Sequence, residues 1–270
     1  MVPQHPEKVF APTRAWPVRH PVEAARWRPV VFESDDWGSC ESAPDDAAAR
    51  RVARLWADHY QRERAGTSTL ESPAGLERLF ATLERFSGAD GLPAVFTAFA
   101  CVANPDFEAI RAAGFARYAW VGIDRGVPRG WERGDVAAGW RAGLARGVFA
   151  PEFHSFLHHV SPKSWMRLLN AAGRDGDLAR ALADLNVFSQ GRHIPEYEGL
   201  NVREQAAQVK AGFDIFRKAV GYAPAAAVTR RAASSPRSPS HLSRALAPSD
   251  TPATKTGAPF ARRTMRRTIQ

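Results

Sequence analysis

Apolar positions along the chain fall into two patterns. Short continuous runs occur at Pro29–Phe32, Leu92–Cys101 and Gly147–Phe153, the length and character of strands buried on both faces. A weaker run, Phe115–Ile123, reads as a further strand leading to a turn at Asp124-Arg-Gly. Between these runs the apolar residues recur at helical spacing. Pro44-Asp-Asp-Ala opens a helix carrying Val52, Leu55, Trp56 and His59/Tyr60 to about Arg64. Leu76, Leu79, Phe80, Leu83 and Phe86 form the stripe of a second helix over Pro73–Phe86, broken at Gly88-Ala-Asp-Gly91. Asn104-Pro-Asp-Phe starts a short helix ending at Gly114, and Gly134–Arg146 is helical. Ser161 is placed to cap a helix with Pro162 in its first turn, and Asp177–Leu185 forms the next. Gln190–Gly199 reads as a loop. A long amphipathic helix, Val202–Val220, presents Ala206, Val209, Phe213, Phe216 and Val220 and is closed by Gly221. Strands alternating with helices predict a parallel α/β arrangement.

The pattern fades at both ends. Residues 1–29 are rich in Pro, Arg and Trp without a sustained period and read as an arm over the first strand. After Pro224 the text becomes Ala, Ser, Thr, Pro and Arg, with Phe260 the one aromatic beyond it, although the chain holds eight Trp and four Tyr. Such a segment buries too little apolar surface to offset its ordering entropy, so residues 225–270 are expected to be a disordered tail. Its character also fits a GC-rich gene read out of frame. The expected organisation is therefore an arm, a domain over 30–224 and a basic tail.

Charge follows that division. The formal net charge is +9, but 225–270 holds nine Lys/Arg against Asp250 alone, and the remaining residues carry 28 basic and 27 acidic side chains. The ordered part is nearly neutral, and the basicity belongs to the tail. Tail arginines alone would give salt-dependent, sequence-blind affinity for nucleic acid, without the interleaved aromatics of specific recognition. No apolar h-region precedes Arg28 and no run is long enough to span a bilayer, which leads to the expectation of a cytoplasmic protein with no membrane span. Two cysteines, Cys40 and Cys101, make no disulfide framework, and Cys40 reads as a buried or incidental thiol.

The chemistry concentrates in two stretches. Glu33-Ser-Asp-Asp-Trp-Gly-Ser39 puts two adjacent acids at the end of the first strand, where α/β folds keep their chemistry. Both ionise only with a cation or several donors nearby. A solvated turn accounts for the same residues. The second stretch is His154-Ser-Phe-Leu-His158, whose two histidines share a face if the segment is helical, the spacing of two ligands for one divalent ion. A pair of structural histidines is the competing account. There is no Glu after the first His to act as a local base, so a carboxylate must come from elsewhere, and Asp35–Asp36 offers one ligand and one free base.

At these two stretches the chain resembles the polysaccharide deacetylases, the NodB-homology group of carbohydrate esterase family four. That family's motifs are Thr-Phe-Asp-Asp-Gly and His-Ser/Thr-x-x-His. Here they are met by Glu33-Ser34-Asp35-Asp36-Trp37-Gly38 and by His154-Ser155-Phe156-Leu157-His158. The second fits fully. The first keeps both acids, replaces Thr-Phe with Glu-Ser and inserts Trp37. The resemblance spans roughly residues 29–224 in order of elements. It implies an incomplete, distorted (β/α) barrel with its C-terminal strands missing. It also implies a divalent metal, most readily Zn2+, held by Asp36, His154 and His158, with Asp35 as catalytic base. The activity implied is removal of an N- or O-acetyl group from a carbohydrate by metal-activated water. Ser155 would fix the loop by hydrogen bonding. Trp37 would wall the pocket against a sugar face or serve the core. The family's base-orienting Arg and Leu-x-His acid have no counterpart after Gly221-Tyr-Ala-Pro224; His241 lies in a different setting, and His193 reads as a loop residue. Two alternatives stand beside the deacetylase reading: a remnant that keeps the metal site without turnover, and a nucleic-acid binder acting through the tail.

Overall fold

A computed structural model describes residues 30–55, 70–158, 161–188 and 196–227. The expected arm, the continuation of the first helix through Trp56 and Tyr60, His193, and the tail from 228 onward lie outside the described residues. The architecture is mixed α/β. Strands β1 (Phe32–Trp37), β2 (Phe96–Cys101) and β5 (Phe149–Ser155) form a parallel sheet in the order β1-β2-β5. Strands β3 (Ala103–Pro105) and β4 (Trp120–Gly122) form a small antiparallel pair. Among the described residues no closed barrel forms.

The helices begin where short polar side chains can satisfy their open N–H groups. Asp45 accepts from Ala48 at 2.7 Å ahead of α1 (Asp46–Leu55). Ser72 caps α2 (Pro73–Leu83), Asp106 caps α3 (Phe107–Ala112) and Asp135 caps α4 (Val136–Arg146). Ser161 caps α5 (Pro162–Leu169), with the proline in the first turn as expected. Helix α6 (Arg174–Ala183) has no side-chain cap. Asn201 and Glu204 form a reciprocal capping box on α7 (Val202–Val220), which ends at Gly221 in the left-handed region at φ +93°.

Several expectations shift. Val30, Val31 and Phe32, read as a buried strand, are exposed, at 75%, 69% and 47%. The ladder starts at Phe32 and carries both acids inside β1, because among the described residues β1 pairs with β2 alone and its apolar lead-in precedes the pairing. Asn104 lies in β3 rather than opening the next helix, and the strand expected over 115–123 shrinks to Trp120–Gly122. Helix α2 stops at Leu83 and leaves Phe86 exposed. The buried face of α7 runs through Gln208, Gly212, Ile215, Phe216, Ala219 and Val220, so Phe213 is only partly covered. Ala225 to Ala227, assigned by composition to the tail, return to β5. The Glu152 carboxylate accepts both Ala225 N–H and Ala226 N–H at 2.9 Å, and Ala227 makes a parallel bridge with Phe153.

The core packs α2, α4 and α7 on the sheet, with Trp131, Trp140 and Trp165 fully buried. Close approach of α4 depends on Gly143: a Cβ there would stand 2.3 Å from Phe80 Cζ and 2.7 Å from Phe149 Cβ. Helix propensity alone favours Gly143→Ala by about 1 kcal/mol. Overpacking a site closed by two rings and a strand opposes it by about 1–3 kcal/mol. The expected outcome is net destabilisation, read as a lower urea midpoint at unchanged slope; a raised midpoint would show that α4 can move away from the sheet at little cost.

Candidate metal centre

The registers of the parallel sheet contain two interruptions, and both fall at the same level. Between β1 and β2 the pairing passes from Ser34↔Ala98 to Trp37↔Ala100, so β1 carries one residue more than its partner. Between β2 and β5 it passes from Ala100↔Phe153 to Cys101↔Ser155, which leaves His154 as the extra residue. Such bulges break the alternation of side chains and re-aim one of them. In β1 the cause is visible in the backbone: Asp36 adopts φ +73°, a conformation that costs a non-glycine residue on the order of 1–3 kcal/mol. The result brings Asp36 from one outer strand and His154 from the other to the carboxyl end of β2.

His158 completes the group from the turn after β5. The expectation of a helical His-x-x-x-His face is corrected here, since His154 belongs to the strand and His158 to a bend and turn. The chain bends over Phe156–His158, and that bend rather than helical pitch brings the imidazoles together, with ring centroids 5.2 Å apart. His154 Nε2 lies 3.2 Å and His158 Nε2 2.8 Å from the same atom, Asp36 Oδ1. That oxygen is buried and makes no well-aligned hydrogen bond. A tetrahedral cation held at about 2.1 Å would separate its ligand atoms by roughly 3.4 Å, close to the spacings found. Both histidines are buried. Donor atoms of Asp36, Cys101 and His158 lie within 4.8 Å of one another, so the described residues contain a group able to hold a metal ion; His154 is outside that group and reaches the site through its distance to Asp36.

Around this group sit three carboxylates that sequence reasoning did not single out. Glu41, buried, pairs with His158 Nδ1, the arrangement in which a carboxylate fixes a ligand imidazole's tautomer and leaves Nε2 for the ion. Glu196 accepts the backbone N–H groups of Phe156 and Leu157 at 2.9 and 3.2 Å and a 3.3 Å bond from Gln208, and so holds the bend that carries His158. Glu71 accepts the Gly38 N–H with both oxygens at 3.1 Å and Trp140 Nε1–H at 2.8 Å, fixing the turn after Asp36. Burial pushes the carboxyl pKa of Glu71 and of Glu196 up, against the bonds each accepts. Asn104 ties the same turn from β3, accepting from Cys40 N–H at 2.7 Å and donating to Gly38 carbonyl at 2.8 Å. Gly38 is required there, because it has φ +76° and a Cβ would stand 2.6 Å from Cys101 carbonyl. Glu71, Asn104 and Glu196 bond backbone groups more than thirty residues away, and Glu41, although five residues after Asp36, pairs with a histidine 117 residues further on, so no local spacing marks them.

The remaining expected site residues lie differently. Asp35 is exposed, and among the described residues it makes no hydrogen bond or ion pair with either histidine. The Trp37 ring packs edge to face on Phe96 and Phe149 at 5.4 and 5.3 Å, so its main contact is with the core. Ser155 Oγ–H donates to Cys101 Sγ at 3.2 Å, a bond between the ends of β5 and β2. No helix among the described residues is long and apolar enough to cross a membrane.

Burial alone would lower the pKa of His158, but the flanking Asp36 and Glu41 outweigh it and push it from 6.5 up to about 9. Burial likewise opposes ionisation of Asp36, yet the two imidazoles hold its carboxyl far below the usual carboxylate range. In metal-free protein the His158 contribution to stability is complete below pH 6.5 and is lost as pH rises through about 9. The Asp36 contribution is present above its ordinary value of 3.8 and is lost at lower pH. Urea midpoints of the metal-free protein should therefore fall between pH 6.5 and pH values above 9, with His158→Gln removing that alkaline slope. An alkaline slope unchanged in the variant would place its origin elsewhere.

No family model, no curated protein and no solved structure matches the chain.

Proposed function

We propose that this protein is a metal-dependent hydrolase of the polysaccharide deacetylase kind, acting on an acylated carbohydrate. The observation that carries the reading is the convergence of His154 Nε2 and His158 Nε2 on Asp36 Oδ1, within 3.2 Å, at the carboxyl end of a parallel sheet. Asp36, His154 and His158 would hold the ion, with zinc the best match to a set of imidazole and carboxylate ligands. An ion bound there would acidify a water and polarise the acyl carbonyl. Asp35, adjacent to a ligand and open to solvent, would accept the proton of the attacking water. Glu41 would keep His158 in the tautomer that presents Nε2, and Glu196 would keep the loop in place. Three parallel strands in sequential spatial order, extended at Ala227, support an open arc of a distorted (β/α) barrel.

A metal site without turnover is the second reading. The observation favouring it is that Asp35 stands outside the hydrogen bonds of the histidine cluster. Turnover separates the two readings.

Three substitutions test the assignment. His154→Ala should abolish the stoichiometric zinc found by elemental analysis after dialysis, and equal retention would sink the ligand set. Glu41→Gln should weaken zinc affinity by roughly 10–100-fold without abolishing it, as expected for a group that orients a ligand. Asp35→Asn should keep the metal while hydrolysis of N-acetylated oligosaccharides or acetyl esters falls by a factor on the order of 100 or more. Metal loss in Asp35→Asn would show that the two aspartates share the ligand role.

A further inference from the structure

The metal reading leaves one donor at the site unused. Cys101 is the last residue of β2, the central strand, and it lies at the level where both outer strands bulge. It is fully buried. Its sulfur lies within 4.8 Å of donor atoms of Asp36 and His158, which themselves fall within that distance of each other. Ser155, inside the histidine motif, donates its hydroxyl hydrogen to Cys101 Sγ at 3.2 Å, which favours charge on sulfur, although burial and the nearby carboxylates outweigh it and push the thiol up in the metal-free protein. The other cysteine, Cys40, is also buried but is not part of this donor group.

We infer that Cys101 is a further ligand of the ion, supplying a thiolate beside Asp36 and His158 at the carboxyl end of β2. The inference rests on the metal reading above and narrows the cofactor it takes. On binding, the Sγ–H bond breaks heterolytically. The proton leaves to solvent and the sulfur lone pair is given to the ion, with no change of oxidation state. A set of two imidazoles, one carboxylate and one thiolate suits zinc and cobalt and disfavours magnesium and manganese, which prefer oxygen ligands. Four protein ligands would close a tetrahedral site, so the hydrolytic reading would require water as a fifth ligand, whereas the reading without turnover would not.

Cobalt(II) is the probe. The full-length metal-free protein titrated with cobalt should bind about one equivalent and develop an intense near-ultraviolet thiolate-to-cobalt charge-transfer band. Cys101→Ser should still bind cobalt through the remaining ligands but without the band, while Cys40→Ser should keep it. Zinc should displace the cobalt, and a large excess of manganese should not. Bound cobalt without the band in unmodified protein, or a band that disappears with Cys40 rather than Cys101, would overturn the thiolate ligand and leave the Asp-His-His site standing. Failure to bind cobalt or zinc at all would overturn both. The unmodified protein decides the first point, so the test does not depend on a variant that folds.

Discussion

The site depends on a mismatch in a parallel sheet. A regular ladder alternates side chains, and neighbouring residues on an outer strand then face opposite sides of the sheet. Here β1 and β5 each carry an extra residue where they pass Ala100 and Cys101 of β2. Those interruptions turn Asp36 and His154 toward a common point above the end of the central strand. The left-handed conformation of Asp36 is the local cost of this arrangement, and it persists only because the surrounding structure holds it.

The surroundings supply that hold through buried carboxylates. Glu71 and Asn104 fix the turn after Asp36 through the backbone of Gly38 and Cys40. Glu196 fixes the turn after His154 through the backbone of Phe156 and Leu157. Both glutamates accept backbone N–H groups that the broken ladder leaves without strand partners, and their desolvation is offset by those bonds. Closer to the histidines, two further carboxylates meet one imidazole. Asp36 and Glu41 bracket His158 so closely that its imidazole takes up a proton well above the usual pH, and a divalent ion would compete for the same nitrogen. The fold thus places a concentration of negative charge where a cation is the natural counterion.

Much of the scaffold was legible along the chain. Strands β2 and β5, the cap at Ser161 and the span of α7 follow from apolar runs, a short polar residue before a helical stripe, and a terminal glycine. Asp36, His154 and His158 were legible as a chemical combination because acids beside a strand end and paired histidines are residue types with few other roles together. Their mutual geometry was not. Helical spacing was offered for the histidines, whereas a strand end and a bend bring them together. The acidic pair read as a loop lies inside β1, because the ladder begins later than the apolar run does.

What the sequence by itself determined is therefore most of the elements, together with an acidic pair and a histidine pair as candidate donors, since both depend on short-range periodicity and on side-chain chemistry; the choice of Asp36 within the acidic pair came from the family resemblance. Tertiary structure alone decided the register of β1 and β5 against β2, and with it which acid turns inward. It also decided the participation of Glu41, Glu71, Cys101 and Glu196, whose partners are mostly more than thirty residues away along the chain. A bulge is set by how two strands pair across the sheet, and a supporting carboxylate by which backbone groups that pairing leaves open. Neither quantity has a local signature in one strand read alone.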